Sequence, residues 1–242
     1  MDVLRIKKRL KKEFFQVKEF FFPKHTHYVF GDSHARVFEY INLQPKFTIK
    51  FDVLSVGGAT AQGLTNPRSK TNALQLFREK INLNCKKKDR LLFFLGEVDC
   101  GFVIWYRAQK YKESVELQFE RSLNNYEEFL QGLKKDGYRK IFIIETILPT
   151  IFDGFEGHIA HERKEVKAHL KERTELTKRY NSRLEAMAKF NGFGFIKITA
   201  DIMDEESGLV KKSLLNEDKS NHHLNNKRFA PLIYKRVLNV LE

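Results

Sequence analysis

Apolar residues along this chain fall into short, nearly unbroken runs, separated by stretches in which they recur every three or four positions. The runs are HYVF (27–30), FTIKFDVLSV (47–56), RLLFFLG (90–96), KIFIIETIL (140–148) and GFGFIKI (192–198). Runs of this length and β-branched, aromatic content predict strands, and the periodic stretches at 34–41, 70–82, 112–135 and about 160–190 predict helices. A last helix is predicted over NNKRFAPLIYKRVLNVL, where Phe229, Leu232, Ile233, Val237 and Val240 keep helical spacing despite Pro231 in the first turns. Strands that are apolar on both faces and alternate with helices belong in a parallel sheet covered on both sides. Such sheets bind ligands at the carboxyl ends of their strands. Small and polar residues gather there: Gly31-Asp32-Ser33 after the first strand, Gly57-Gly58 after the second and Gly96-Glu97-Val98-Asp99 after the third.

A different pattern precedes the alternation. In residues 3–22, Ile6, Leu10, Phe14, Val17 and Phe21 make one helical stripe, and Arg5, Lys7, Lys8, Arg9, Lys11, Lys12 and Lys18 surround it with positive charge. Pro23 closes the segment. The chain therefore divides into a basic amphipathic extension (1–23) and an α/β domain (24–242). The extension either docks its stripe on protein or lies on an anionic membrane surface.

Composition narrows the class further. With 42% hydrophobic residues and 22 Phe among 242 positions, the chain can bury a large aromatic core, which excludes global disorder. The net charge of +13 favours anionic partners. It is spread along the chain with no nucleic-acid-binding motif, so nucleic acid is not the expected partner. Cys85 and Cys100 form neither a disulfide framework nor zinc-ligand spacing. His25 and His27 lack acidic or cysteine companions, and no metal site is expected. Without a secretory leader or an apolar run of roughly 18 residues, the expected location is the cytoplasm, with peripheral attachment to a membrane as the variant.

Candidate chemistry centres on FGDSHA. A strand-to-helix turn carrying a serine is often only an N-cap. It can also present a hydroxyl where backbone N–H groups favour developing negative charge. The surroundings favour the second reading, because four blocks in order resemble those of the SGNH/GDSL hydrolase superfamily over roughly residues 26–240. FGDSHA is similar to the nucleophile block, SVGGATAQG to the glycine block, FFLGEVDCG to the third block and EDKSNHHLNNKRFA to the last. The resemblance implies Ser33 as nucleophile, His223 as general base and the amides of Ser33 and Gly58 as an oxyanion hole. It also implies a three-layer α/β/α, flavodoxin-like fold with about five parallel strands. Two departures stand out. Val98 occupies the place of the third block's asparagine and cannot donate a hydrogen bond. Ser220, not aspartate, stands three residues before His223, so Asp218 is the expected orienting carboxylate, reached through a loop bulge. The fallback is a Ser-His dyad with the ring held by Ser220 or a backbone carbonyl.

Five further residues are expected near substrate or in support of the site: Asp32, Glu97, Asp99, Arg107 and His222. For Asp99 a loop-capping role weighs equally, and His34 is expected to pack or cap locally. His158, His161 and His169 are expected to be solvated. The implied function is serine-dependent acyl-ester chemistry, foremost O-acetyl or O-acyl esterase action on a carbohydrate or polysaccharide. An O-acetyltransferase using the same serine, and a catalytically silent glycan-binding module, stay open. No cofactor is expected; acetyl-CoA enters as donor only for the transferase.

Overall fold

The computed structural model describes residues 27–154, 166–218 and 220–241. The predicted helix over 3–22 and its boundary at 23, with His25, His158 and His161, lie outside the described residues.

Five parallel strands form one sheet in the order β2-β1-β3-β4-β5. They are β1 (His27–Gly31), β2 (Phe51–Ser55), β3 (Arg90–Phe94), β4 (Lys140–Ile144) and β5 (Gly194–Ile196). Each predicted strand is present. Side-chain alternation divides the sheet's residues between two apolar layers. Tyr28, Phe30, Leu91, Phe93, Ile141 and Ile143 face helices α2 (Ala73–Asn84), α4 (Val115–Lys135) and α5 (Leu170–Asn191). Val29, Leu92, Phe94, Ile144 and Ile196 face α1 (Arg36–Leu43) and α7 (Asn226–Leu241). Both faces being covered accounts for strands that read as apolar throughout.

Several boundaries differ from the sequence pattern. The second strand starts at Phe51, not at residue 47, because the Thr48 and Ile49 amides donate to Tyr234 Oη of α7 (both 3.0 Å) and not to a neighbouring strand. An unpredicted helix, α3 (Ile104–Tyr111), follows a π-helical turn over Asp99–Val103. The fifth helix starts at Leu170, where the His169 amide donates to Glu172 Oε2 (2.8 Å). His169 is exposed as expected, with Nδ1 3.2 Å from Asp153. The short α6 (Thr199–Ile202) follows β5.

The strand order reverses direction between β1 and β3, since β2 lies on one side of β1 and β3 on the other. A crevice outside the carboxyl ends opens at such a point. Ser33 leaves β1 and Glu97 leaves β3 at that reversal. Among the described residues no helix is long and apolar enough to cross a membrane.

Candidate active site

The serine turn is built by close backbone packing. A Cβ on Gly31 would stand 2.4 Å from Phe94 O and 2.8 Å from Ala35 Cβ, so only glycine lets β1 run this near β3 at its end. The Asp32 amide donates to Phe94 O (3.3 Å), and Ser55 Oγ donates to Asp32 O (2.8 Å), tying the turn to both neighbouring strands. Ser33 opens a 3-10 turn (Ser33–Ala35) that runs into α1. Asp32 is buried, and its Oδ1 accepts from the His34 amide (2.8 Å) and lies 3.0 Å from His34 Nδ1. Asp32 therefore supports the turn on either side of the half-buried Ser33. His34 packs and caps locally, as expected.

The glycine loop is held from another strand. Gly58 has φ +72°, a left-handed conformation suited to glycine, and is solvent-exposed. A few residues on, the Ala61 and Gln62 amides donate to the Asp99 carboxylate at 2.7 and 3.0 Å, and Ser122 Oγ donates to it at 2.8 Å. Asp99 is fully buried. Burial pushes its carboxyl up, while these three donors favour the ionised form. Asp99 thus anchors the loop that follows Gly58, which is a loop-capping role. Asp99→Ala leaves the buried Ala61 and Gln62 amides without their acceptor and is expected to cost on the order of 3 kcal/mol. Thermal denaturation should then show Tm lower by roughly 6–12 °C for a chain of this size. An unchanged Tm would contradict the anchoring role.

Glu97 and Val98 are buried, Glu97 at 2% exposure. Glu97 lies close enough to His223 for its charge to favour the imidazolium. Arg107 sits half-exposed on α3, outside the cavity described next.

The histidine arrives on a closed loop. Leu215 and Leu224 bridge antiparallel, the Asn225 amide donates to Leu214 O (2.9 Å), and Thr150 Oγ1 donates to His222 O. Asn225 Oδ1 accepts from the Lys227 amide (3.0 Å) and starts α7. This arrangement brings His223 to Ser33: both line one cavity of about 190 Å³, with His34, Arg36, Val37, Ile147, Asn216, Asn221, Leu224, Asn226 and Phe229.

Asp218 is not brought to His223, contrary to the sequence expectation. It is exposed, and its Oδ1 accepts instead from the Ser220 amide (2.9 Å) and Ser220 Oγ (2.7 Å) within its own turn. The ring is held by Asn221, whose Oδ1 accepts from the His223 amide (3.0 Å) and lies 2.9 Å from His223 Nδ1. Neither Ser220 nor a backbone carbonyl fills this place. The clip repeats the one at the serine turn. In Asp32-Ser33-His34 and in Asn221-His222-His223, one Oδ1 engages both the backbone amide and Nδ1 of the residue two positions on. An Asx residue two before a histidine was the available sequence signal, and spacing by three hid it.

The proton inventory follows from the clip. With Nδ1–H donated to Asn221, the His223 lone pair is on Nε2, which is buried and has no hydrogen-bond partner among the described residues. Burial, together with His34, His222 and Arg36, lowers the His223 pKa to about 3, against the opposing charge of Glu97. The ring is neutral at pH 7 and can accept a proton. The His222 ring lies against it at a 40° tilt, with centroids 4.0 Å apart.

No protein-family model matches the chain, and no curated protein sequence matches it. Solved structures do. A candidate acylhydrolase from Bacteroides fragilis superposes with TM-score 0.60 at 15% identity, covering 91% of this chain and 90% of that one. A GDSL-like lipase from Bacteroides thetaiotaomicron gives TM-score 0.59 at 15% identity, covering 90% and 86%. A candidate lipolytic protein of the G-D-S-L family from Desulfitobacterium hafniense gives 0.55 at 13%, covering 90% and 99%. At these identities the likeness is one of fold.

Proposed function

We propose, from the SGNH/GDSL hydrolase fold that this chain carries and the cavity that Ser33 shares with His223, that the protein is a serine-dependent O-acyl esterase acting on a carbohydrate. The shared cavity carries the reading. Ser33 Oγ attacks the acyl carbon as His223 Nε2 takes its proton, forming an acyl-serine and releasing the sugar hydroxyl; water then returns the serine by the same route. The Ser33 and Gly58 amides meet the oxyanion, each worth roughly 3–4 kcal/mol in the transition state.

Two features support a small acyl group on a polar alcohol. The cavity is about 190 Å³, well below the roughly 300–1,000 Å³ of drug-sized ligand sites. Its lining includes Asn216, Asn221, Asn226 and Arg36, groups that hydrogen-bond sugar hydroxyls and give little to a long alkyl chain. With Val98 in the third block, these amides and the Arg36 guanidinium are side-chain donors in the cavity that Ser33 lines.

The test pairs a probe with an ester series. A fluorophosphonate should label wild-type protein at Ser33, and p-nitrophenyl esters should be turned over fastest at acetate and fall steeply by octanoate. Acetate release from an O-acetylated polysaccharide should exceed acetyl transfer from acetyl-CoA to a sugar. Absence of labelling and turnover would leave the silent binding module. Transfer exceeding release would make the chain a transferase.

A further inference from the structure

The proposed mechanism uses one histidine, yet three meet at the site. His34, from the turn after β1, lies with its ring centroid 4.8 Å from His223 and 5.6 Å from His222, and the latter pair are 4.0 Å apart. One ring nitrogen from each can be chosen so that all three lie within 4.8 Å of one another. Clustering three bases invites an account, because any two of them repel when protonated.

The two Asx clips supply that account. A metal-bound imidazole commonly donates its other N–H to a carboxylate or carbonyl, which fixes the tautomer and turns the lone pair to the metal. His34 has Nδ1 on the buried Asp32 carboxylate at 3.0 Å, and His223 has Nδ1 on Asn221 Oδ1 at 2.9 Å. Both rings therefore direct Nε2 away from their clips, and His223 Nε2 is a buried atom without a hydrogen-bond partner among the described residues. We infer that His34, His222 and His223 form a binding site for a borderline divalent transition metal, Zn²⁺ being the probe of choice. Three imidazole ligands suit Zn²⁺, Cu²⁺ or Ni²⁺ and discriminate against Ca²⁺ and Mg²⁺, which take oxygen ligands. Tetrahedral coordination with nitrogen about 2.0–2.1 Å from the metal needs the three rings to close by a fraction of their present separation.

The consequence rests on the hydrolase reading. A metal on His223 Nε2 occupies the lone pair that would take the Ser33 proton, so metal binding and ester turnover exclude one another. The site would act as a reversible brake set by the availability of free metal.

Calorimetry on full-length protein, stripped with EDTA and desalted, tests binding without reference to activity. ZnCl₂ should bind saturably at one ion per chain, MgCl₂ should not, and Co²⁺ should give the visible absorption of a tetrahedral nitrogen site. His34→Asn and His222→Asn should each weaken zinc binding by at least about 10-fold, the scale of losses around metal ligands. Ser33→Ala should bind zinc as wild type does, which also shows that the fold is intact. Binding with no esterase activity would uphold the metal site and remove the hydrolase reading. Esterase activity with no saturable binding at millimolar zinc would do the reverse. Zinc binding indifferent to both histidine variants would place the ion elsewhere and overturn the inference.

Discussion

Ser33→Ala is expected to lower kcat on an acetyl ester at least about 10⁴-fold and to abolish fluorophosphonate labelling, the scale seen when a serine nucleophile is removed from its catalytic unit. The large effect follows from chemistry the cavity cannot replace: without Oγ no acyl-serine forms, and only binding and oxyanion contacts remain. Stability should change little. Ser33 is half-buried in the lining of a cavity, and the turn around it is held by Asp32, Gly31 and Ser55. Stopped-flow and steady-state assays beside a melting curve separate the two quantities. If the alanine variant retains turnover within tenfold of wild type, the nucleophile is another group and the proposed function fails with it.

His223→Ala should cost about as much, since base and nucleophile act as a unit. The pH profile carries the more discriminating result. His223 falls from an ordinary 6.5 to about 3, with burial as the leading cause. The neutral base therefore persists as pH drops, and kcat/KM, measured with EDTA present, should hold through the mildly acidic range and fall only toward pH 3. The same shift sets the stability slope. Between 6.5 and 3 the unfolded chain takes up a proton that the folded one refuses, so this contribution to stability is lost as pH falls through that window. A base so weak is also a modest catalyst at neutral pH, because proton transfer follows basicity. Asn221→Asp places a carboxylate on Nδ1, favours the imidazolium and moves the acid limb to higher pH. It should raise kcat at neutral pH by about tenfold. Asp218→Asn, on an exposed turn, should change kcat less than about twofold, as surface substitutions do. A large loss from Asp218→Asn with no response to Asn221→Asp would restore the aspartate as orienter.

How far the sequence reaches is clearest at particular residues. Arg90–Phe94 is readable as a strand because both its faces are covered and its apolar run has no polar interruption. The turns that carry Ser33 and Gly58 are readable as neighbours because strand ends in a parallel sheet converge. The start of β2 is not, since what releases Thr48 and Ile49 from the sheet is a tyrosine hydroxyl on the last helix. Helix α3 hides behind a π-turn that breaks the 3.6-residue period. Asn221 hides because an orienting group is looked for by charge and by a spacing of three, whereas the loop uses an amide at a spacing of two. The meeting of His34 with His222 and His223 depends wholly on tertiary closure, and no local pattern announces it.

The pairing of α1 with α7 has a consequence for how the protein is made. Ser33 comes from the first described strand and His223 from the loop before the last described helix, so the cavity between them closes only when distant parts of the chain have met. Contacts of such long sequence separation form late and slowly. A nascent chain can complete β1 through β4, with Ser33 already in the turn, and still lack His223 and more than half of the residues that line the cavity. On the proposed function, catalytic competence reports the final step of assembly, and a chain stalled or clipped before residue 212 is expected to keep Ser33 in its turn while remaining inert.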